Sequence, residues 1–319
     1  MDEEKLLDEV FFPYYTKKLE ELKHDETKEF AYYSSLDVIH YILKDKKIWL
    51  RNASCMNDWN EIHRGQSLFF KYLRDSARSS RLFSVLSKID DHFNWEENIR
   101  TLIENFPAEA IFSCYLASLT VHDKSDDTSG RLSMWRGYGR GIGGALILKK
   151  KEILDNDAID GIFLSKVAYF SEEEFIDEFN KVVDLIENHI GQLKKRGLKA
   201  VWDTFRMAII SAIVSLKDPG FREEQEWRVL FFESPDSQST DKICPETEVI
   251  NGIPQRVYKL YVREILPKLL DHVIIGPTQY SGVAYMALQE DLSKLYEGTS
   301  TSIRGKLKMS TIPIRPETL

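Results

Sequence analysis

The stretch PGFREEQEWRVLFF, residues 219–232, joins a charged segment directly to an apolar one. In a strand, alternate side chains share a face, so Glu226 and Arg228 point one way while Trp227 points the other. Residues 229–232 are apolar on both faces, which is typical of a strand covered on both sides. The stretch therefore predicts a central strand that begins at Glu226.

A carboxylate at the start of such a strand is partly removed from water and needs a partner. Arg228 lies two residues on, on the same face, and an ion pair between the two is one interpretation. The other is that the strand holds Glu226 at a site that uses a fixed negative charge. The residues leave both interpretations open.

Outward from this strand, the chain mixes helical and extended patterns without regular βαβ alternation, which predicts an α+β fold. We expect a single domain, residues 1–319, with helical insertions at about 62–108 and 172–216. A further helix over residues 2–24 is broken near Pro13, and Ser34 or Ser35 is placed to cap a helix after the first strand. Other strands are predicted at residues 29–35, 47–52, 110–118, 143–150, 162–170, 255–262, 272–277 and 307–314.

Composition limits the class of protein. The chain has 319 residues, of which 43% are hydrophobic, enough for a sizeable core. It contains no apolar run of the length that spans a bilayer and no signal peptide pattern, so we expect no membrane partner. Three dispersed cysteines suit a reducing cytoplasm. The net charge of -8 disfavours general nucleic-acid binding, because Lys and Arg make phosphate contacts.

Four short polar or aromatic stretches stand at strand ends, where scaffolds present functional groups. Each also has a structural interpretation: a helix cap for Ser34, a turn for residues 57–60, and a core stripe for Trp135 and Tyr138, which are three apart. The stretches are Tyr32-Tyr33-Ser34-Ser35, Asn57-Asp58-Trp59-Asn60-Glu61, Met134-Trp135-Arg136-Gly137-Tyr138 and Phe221–Arg228.

Two familiar site patterns are excluded. The glycines between residues 139 and 144 precede a strand and are not followed by Lys-Ser/Thr, so they form neither a Walker nor a dinucleotide-fold loop. The seven histidines show no metal-ligand spacing, so we interpret them as surface or core residues.

Taken together, the motifs Y-x-S-S with LRNASCMNDWNE, M-W-x-x-Y-x(5)-G, F-R-E-E-x-E-W-R and I-I-G-P resemble the bacterial family DUF2971, from about residue 31 to 280. Tyr32 stands where a familiar variant of the family has His. The order of these parts is also similar to the mono-ADP-ribosyltransferase fold of DNA-modifying toxins. Glu224-Gln225-Glu226 has the E-x-E spacing of its arginine-directed members. This second resemblance implies a mainly antiparallel split β-sheet core.

It also implies an enzyme of the glycosyltransferase class that consumes NAD and needs no metal. Cleavage of the nicotinamide–ribose bond passes through an oxocarbenium-like state, which a fixed carboxylate stabilises. The implied acceptor is a protein or nucleic acid, and a role as toxin or anti-phage effector implies an antitoxin or defence-system partner. The implied site has Glu226 and Glu224 as catalytic residues, Tyr33 and Ser34 holding nicotinamide and ribose, Trp135 and Tyr138 lining the pocket, and Arg51 or Arg136 at the pyrophosphate.

Two alternatives belong to other classes. One is a metal-dependent nuclease or phosphodiesterase, in which carboxylates hold Mg²⁺. The other is a non-catalytic sensor or binding module that keeps the same pocket without turnover. The carboxylates of the nuclease alternative are Asp58, Glu61, Glu224 and Glu226.

Overall fold

A computed structural model describes most of the chain. The described residues are 3–55, 60–139, 142–155, 161–233, 242–250 and 252–313.

The elements confirm a mixture of helices and strands. Twelve strands occur in the described residues: β1 (Lys28–Ser35), β2 (Lys47–Asn52), β3 (Cys114–Asp123), β4 (Gly143–Leu148), β5 (Ile162–Lys166), β6 (Ala168–Tyr169), β7 (Leu216–Lys217), β8 (Glu226–Phe232), β9 (Ile243–Ile250), β10 (Ile253–Tyr261), β11 (Leu270–Ile275) and β12 (Leu307–Met309). Over the same residues the α-helices are α1 (Glu3–Phe11), α2 (Pro13–His24), α3 (Leu36–Asp45), α4 (Asn60–Arg74), α5 (Ser76–Ser87), α6 (Trp95–Ser113), α7 (Leu132–Tyr138), α8 (Lys150–Leu154), α9 (Glu172–Arg196), α10 (Leu198–Ser215), α11 (Leu266–Leu269) and α12 (Ser281–Leu295).

The chain divides into two compact units, each assembled from three segments. Unit 1 comprises Met1–Leu22, Asn52–Cys114 and Ser165–Glu223, and unit 2 comprises Lys23–Arg51, Tyr115–Leu164 and Glu224–Leu319. Both of the long helical blocks anticipated in the sequence fall in unit 1. The prediction of one domain over residues 1–319 stays a prediction.

Unit 1 is mainly helical and has an aromatic core. Its longest helix, α9, begins with a capping box in which Ser171 and Glu174 satisfy each other's backbone amides. Three acidic residues in the first turn and three basic residues in the last complement the helix dipole. Phe179 of α9 packs edge-on against Phe69 and Tyr72 of α4, with ring centroids 5.3 and 4.6 Å apart. These contacts join α9 to α4.

Unit 2 contains the large sheet. Among the described residues ten strands form it, in the order β12-β11-β4-β1-β3-β2-β10-β9, and β8 pairs with both β3 and β5. The pairings of β1 with β3 and β4, of β4 with β11, and of β10 with β2 and β9 are antiparallel. Only β11 and β12 are parallel among the pairings specified in this sheet. The predicted α+β class and mainly antiparallel sheet are confirmed, and β8 has a neighbour on each side, as a central strand requires.

Two local predictions need correction, and one strand was not predicted. The strand predicted at residues 110–118 begins only at Cys114, because α6 continues through Pro107 to Ser113. Ser35 occupies the cap position of α3 but makes no side-chain cap bond, and the amide of Leu36 donates to Ile142 O at 2.8 Å. Strand β9, with its alternating burial, was not predicted at all.

The sequence contains no run that predicts a membrane span, and the helices of the structure can be compared with that prediction. Within the described residues, none of them combines the length with the apolar composition that a bilayer crossing requires.

Candidate functional site

The pairing register decides which side chains share a face of the large sheet. Ala31 pairs with Thr120, and paired residues of antiparallel strands lie on the same face. Tyr33 and Ser118, each two residues away, therefore share that face. We call it the α7 face, because helix α7 packs against it through Trp135. The opposite face carries Tyr32, so we call it the Tyr32 face.

Glu226 lies on the α7 face in a closed polar cluster. Its Oε1 accepts hydrogen bonds from Ser118 Oγ at 2.5 Å and from Arg228 Nε at 2.9 Å. Arg228 Nη2 donates to the second carboxylate oxygen at 3.3 Å. Both charged side chains are only 4% exposed. The ion pair considered from the sequence is therefore present, and it holds Glu226 in one orientation.

Tyr33 and Trp135 meet on the same face. Their rings are edge-on with centroids 4.7 Å apart, and both are buried. The Tyr33 hydroxyl accepts a hydrogen bond from the Arg131 amide at 3.1 Å. Burial raises the pKa of Tyr33 to about 12, so its phenol stays neutral at physiological pH.

Tyr138, at the end of α7, forms a contact between the third motif and the fourth. It packs against the Tyr33–Trp135 cluster, and its hydroxyl donates to Glu224 Oε1 at 3.4 Å. Tyr138 and Glu224 are both half-buried, whereas Glu226 is buried. Glu224 is thus the more accessible of the two predicted catalytic carboxylates.

Arg131 links these motifs, although the sequence offered no reason to select it. In addition to its amide bond to Tyr33, its Nη1 donates to Thr120 Oγ1 at 3.2 Å. The guanidinium also reaches Gln225 Oε1 at 3.5 Å and pairs with Asp126 at 3.2 Å. Through its amide and its side chain together, Arg131 therefore contacts groups from β1, β3 and the turn before β8.

The turn before β8 has an uncommon backbone. Gln225 has φ 48°, in the left-handed region that residues other than glycine rarely adopt. Its carbonyl accepts from the Val121 amide at 3.2 Å, and the Thr120 hydroxyl donates to the Glu224 carbonyl. Tertiary hydrogen bonds thus support the strained residue, and such strain is frequent at functional sites.

The three remaining predicted site residues are Ser34, Arg51 and Arg136. Ser34 follows Tyr33 on β1, so it points to the Tyr32 face, and its hydroxyl bonds to Tyr32. The charge of Arg51 acts on Tyr32, where it partly opposes the rise in pKa that burial causes. Arg136 lies on α7 with its side chain exposed.

Of the second predicted stretch, only Asn60 and Glu61 are among the described residues. Asn57, Asp58 and Trp59 lie outside the described residues. Glu61 belongs to unit 1, where its carboxylate pairs with Lys217 at 3.1 Å.

Two cavities are defined by described residues. One, of about 170 Å³, lies on the Tyr32 face between Tyr32, Leu50 and Val229. The other, of about 120 Å³, lies inside unit 1 beside Phe69 and Phe179. Glu226 lines neither cavity, so neither of them is a pocket around Glu226 on the α7 face.

Two of the histidines that we interpreted as surface or core residues are brought together. His122 and His272 are both buried, as a core interpretation requires, and each lies beside the carboxylate of Asp127. In the described part of the chain, this is the one group of three His, Cys, Asp or Glu side chains whose ligand atoms all lie within 4.8 Å of one another.

The third and fourth motifs fall in the segment that a family model recognises. Residues 134–229 match DUF2971. The family is described as a protein of unknown function, and the predicted resemblance to DUF2971 is confirmed over this segment. The DUF2971 segment contains Trp135, Tyr138, Glu224 and Glu226 and is shorter than the range predicted from the motifs. No curated protein and no solved structure matches the chain.

Proposed function

We propose that the α7 face binds NAD and that the protein is an ADP-ribosyltransferase-like enzyme. One observation carries the proposal. Tyr33, Trp135, Tyr138, Glu224 and Glu226 come from three distant motifs and lie on one face of the sheet in unit 2. Aromatic and carboxylate groups that converge in this way are the components that a nicotinamide riboside needs.

The two carboxylates suit different roles in the proposed reaction. Glu226 is fixed by Ser118 and Arg228, and a preorganised carboxylate is the group that stabilises an oxocarbenium-like transition state. Because its side chain is only 4% exposed, a ligand reaches it only if the neighbouring turn moves. Glu224 is accessible beside the Tyr138 hydroxyl, where it can orient the acceptor or act as its base.

Tyr138 supplies the accessible aromatic surface for the nicotinamide ring, and the exposed Arg136 supplies a cation for the pyrophosphate. Trp135 is buried beneath them and supports the wall of the site. The proposed site does not use Ser34, which lies on the other face. The proposed acceptor is a protein or a nucleic acid, and a toxin or defence role with a matching partner protein stays part of the proposal.

The Mg²⁺ nuclease alternative has less support. Glu61 is balanced by Lys217 and Glu226 by Arg228, so these two carboxylates already have cationic partners. Because both carboxylate oxygens of Glu226 already bind Arg228, a divalent ion would have to displace that guanidinium.

Thermal denaturation and nicotinamide release test the proposal together. We expect NAD to raise the unfolding midpoint by mass action, whereas Mg²⁺ after EDTA does not. Incubation with NAD and a cell lysate should release nicotinamide and label an acceptor. Glu224→Gln, which removes a charge, and Tyr138→Leu, which removes the aromatic ring, should reduce both responses without loss of the fold, because both side chains are half-buried.

An exposed carboxylate far along the chain provides the matched control, since Glu290→Gln should leave the NAD response unchanged. Stabilisation by Mg²⁺ without any response to NAD would promote the nuclease. No response to either ligand would favour the sensor module.

A further inference from the structure

A second polar cluster on the α7 face consists of two histidines and one aspartate. His122 comes from β3, Asp127 from the turn that follows β3, and His272 from β11, all within unit 2. The two histidine side chains are 1% and 4% exposed, while Asp127 is 27% exposed. The cluster is therefore buried on its histidine side and reachable on its carboxylate side.

His272 is oriented by a second carboxylate. Its Nδ1 lies 2.8 Å from Asp271 Oδ2, and because a carboxylate accepts, Nδ1 carries the proton and donates it. The other ring nitrogen, Nε2, then presents a lone pair. A carboxylate that fixes the far nitrogen of an imidazole is the usual support of a metal-bound histidine.

That lone pair points at another acceptor. His272 Nε2 is buried, has no hydrogen-bond partner among the described residues, and lies 3.5 Å from Asp127 Oδ1. Two lone pairs that face each other away from water repel unless a positive charge lies between them. The arrangement calls for a cation at this point.

One carboxylate oxygen of Asp127, Oδ1, lies close to both histidines. Lys308 Nζ binds its Oδ2 at 2.8 Å, which leaves Oδ1 directed at both histidines. His122 Nε2 lies 2.8 Å from the same Oδ1, and His122 Nδ1 is buried without a hydrogen-bond partner in the described part of the chain. Lys306 lies nearby but donates to the Asp271 backbone carbonyl at 2.8 Å, so it does not occupy the gap.

We propose that His122, Asp127 and His272 form a three-ligand site for a divalent transition metal, with Zn²⁺ as the best fit. Two ligand atoms on a tetrahedral zinc are about 3.4 Å apart. The 3.5 Å between His272 Nε2 and Asp127 Oδ1 matches this spacing. The 2.8 Å at His122 must widen by roughly half an ångström, with the His122 proton moving from Nε2 to Nδ1.

The donor set also selects the metal. Two imidazole nitrogens and one carboxylate oxygen favour Zn²⁺ and its transition-metal neighbours over Mg²⁺ and Ca²⁺, which prefer oxygen. Three protein ligands leave a fourth position for water, on the side where Asp127 is exposed. This site does not depend on the proposed NAD reaction.

Calorimetric titration of the full chain, stripped with EDTA and dialysed, tests the site. We expect one Zn²⁺ to bind per chain. Zn²⁺ should raise the unfolding midpoint, whereas Mg²⁺ should leave it unchanged. Asp271→Asn should weaken Zn²⁺ binding by about 10- to 100-fold, because it loosens the His272 ring. His272→Gln and Asp127→Asn should abolish the stabilisation, while His92→Gln, at a fully exposed ring, should leave it unchanged.

Because variants of buried residues can fail to fold, a second measurement uses the wild-type protein. Co²⁺ should give the intense visible absorption of a tetrahedral site with nitrogen and oxygen ligands, and Zn²⁺ should displace it. Absence of saturable Zn²⁺ and Co²⁺ binding would overturn the site and would mean that a proton on His272 supplies the positive charge. Undiminished Zn²⁺ binding by a folded His272→Gln variant would overturn it as well.

Discussion

At the scale of single residues, Glu226 is the side chain on which most of the candidate site depends. It combines the interpretations that the sequence left open, because it forms an ion pair with Arg228 and also lies on the face where the other motifs converge. A buried pair of this kind contributes little net stability by itself, but removing one partner leaves the other charge without compensation.

We therefore expect Glu226→Gln to destabilise the protein by roughly 3–5 kcal/mol, measured by urea denaturation, because Arg228 stays buried opposite a neutral amide. Replacing both residues, as Glu226→Leu with Arg228→Met, should cost less because no unpaired charge remains. A Glu226→Gln variant with the stability of the wild type would show that Arg228 finds another partner.

This expectation affects how activity is tested. Any loss of NAD cleavage in Glu226→Gln has to be measured on folded protein, below its unfolding midpoint. Glu224→Gln is the cleaner variant, because its half-buried carboxylate can be neutralised without leaving a buried charge.

At the scale of elements, glycines allow α7 to lie close to the sheet. A Cβ added at Gly276, just after β11, would stand 2.8 Å from the Gly143 carbonyl oxygen and 3.1 Å from the Trp135 ring. The Gly276 amide donates to that same carbonyl at 2.8 Å. Gly143, one of the glycines between residues 139 and 144, also leaves room for Trp135, because a Cβ there would stand 2.9 Å from that ring.

Gly276→Ala should therefore destabilise the protein by about 1–3 kcal/mol, because a backbone carbonyl cannot move aside cheaply. Gly282→Ala, in helix α12 and with open space around the added methyl group, is the matched control. It should be neutral or stabilise by up to about 1 kcal/mol through helix propensity. Equal unfolding midpoints for the two variants would contradict the close approach at Gly276.

At the scale of the whole molecule, the DUF2971 segment is not a folding unit. Its strand β4 pairs with β1 on one side and β11 on the other, and both neighbours lie outside the segment. Strand β8 pairs with β3, which also lies outside. The units themselves are each built from three chain segments.

An isolated fragment of residues 134–229 should accordingly show no cooperative unfolding transition by circular dichroism, because β4 and β8 would expose unpaired edges and apolar faces. The full chain measured under the same conditions is the reference. A sharp thermal transition in the fragment would mean that the segment folds without its partner strands.

The sequence by itself determined the elements whose signals are local. Alternation and the apolar run determined β8, and Pro13 separated α1 from α2. The hairpin of β9 and β10 also had a local signal, since Asn251-Gly252 between alternating residues is typical of a tight turn. The same alternation placed Ser34 opposite Tyr33, which the predicted site did not take into account.

Only the tertiary structure decided which side chains meet. His122 and His272 are 150 positions apart in the chain and belong to strands that β1 and β4 separate, yet they reach the same carboxylate. Arg131 likewise meets Tyr33, Thr120 and Gln225 only because the sheet order brings their strands together. Strand order depends on packing summed over the whole chain, and a local pattern fixes a residue's face without fixing its neighbours.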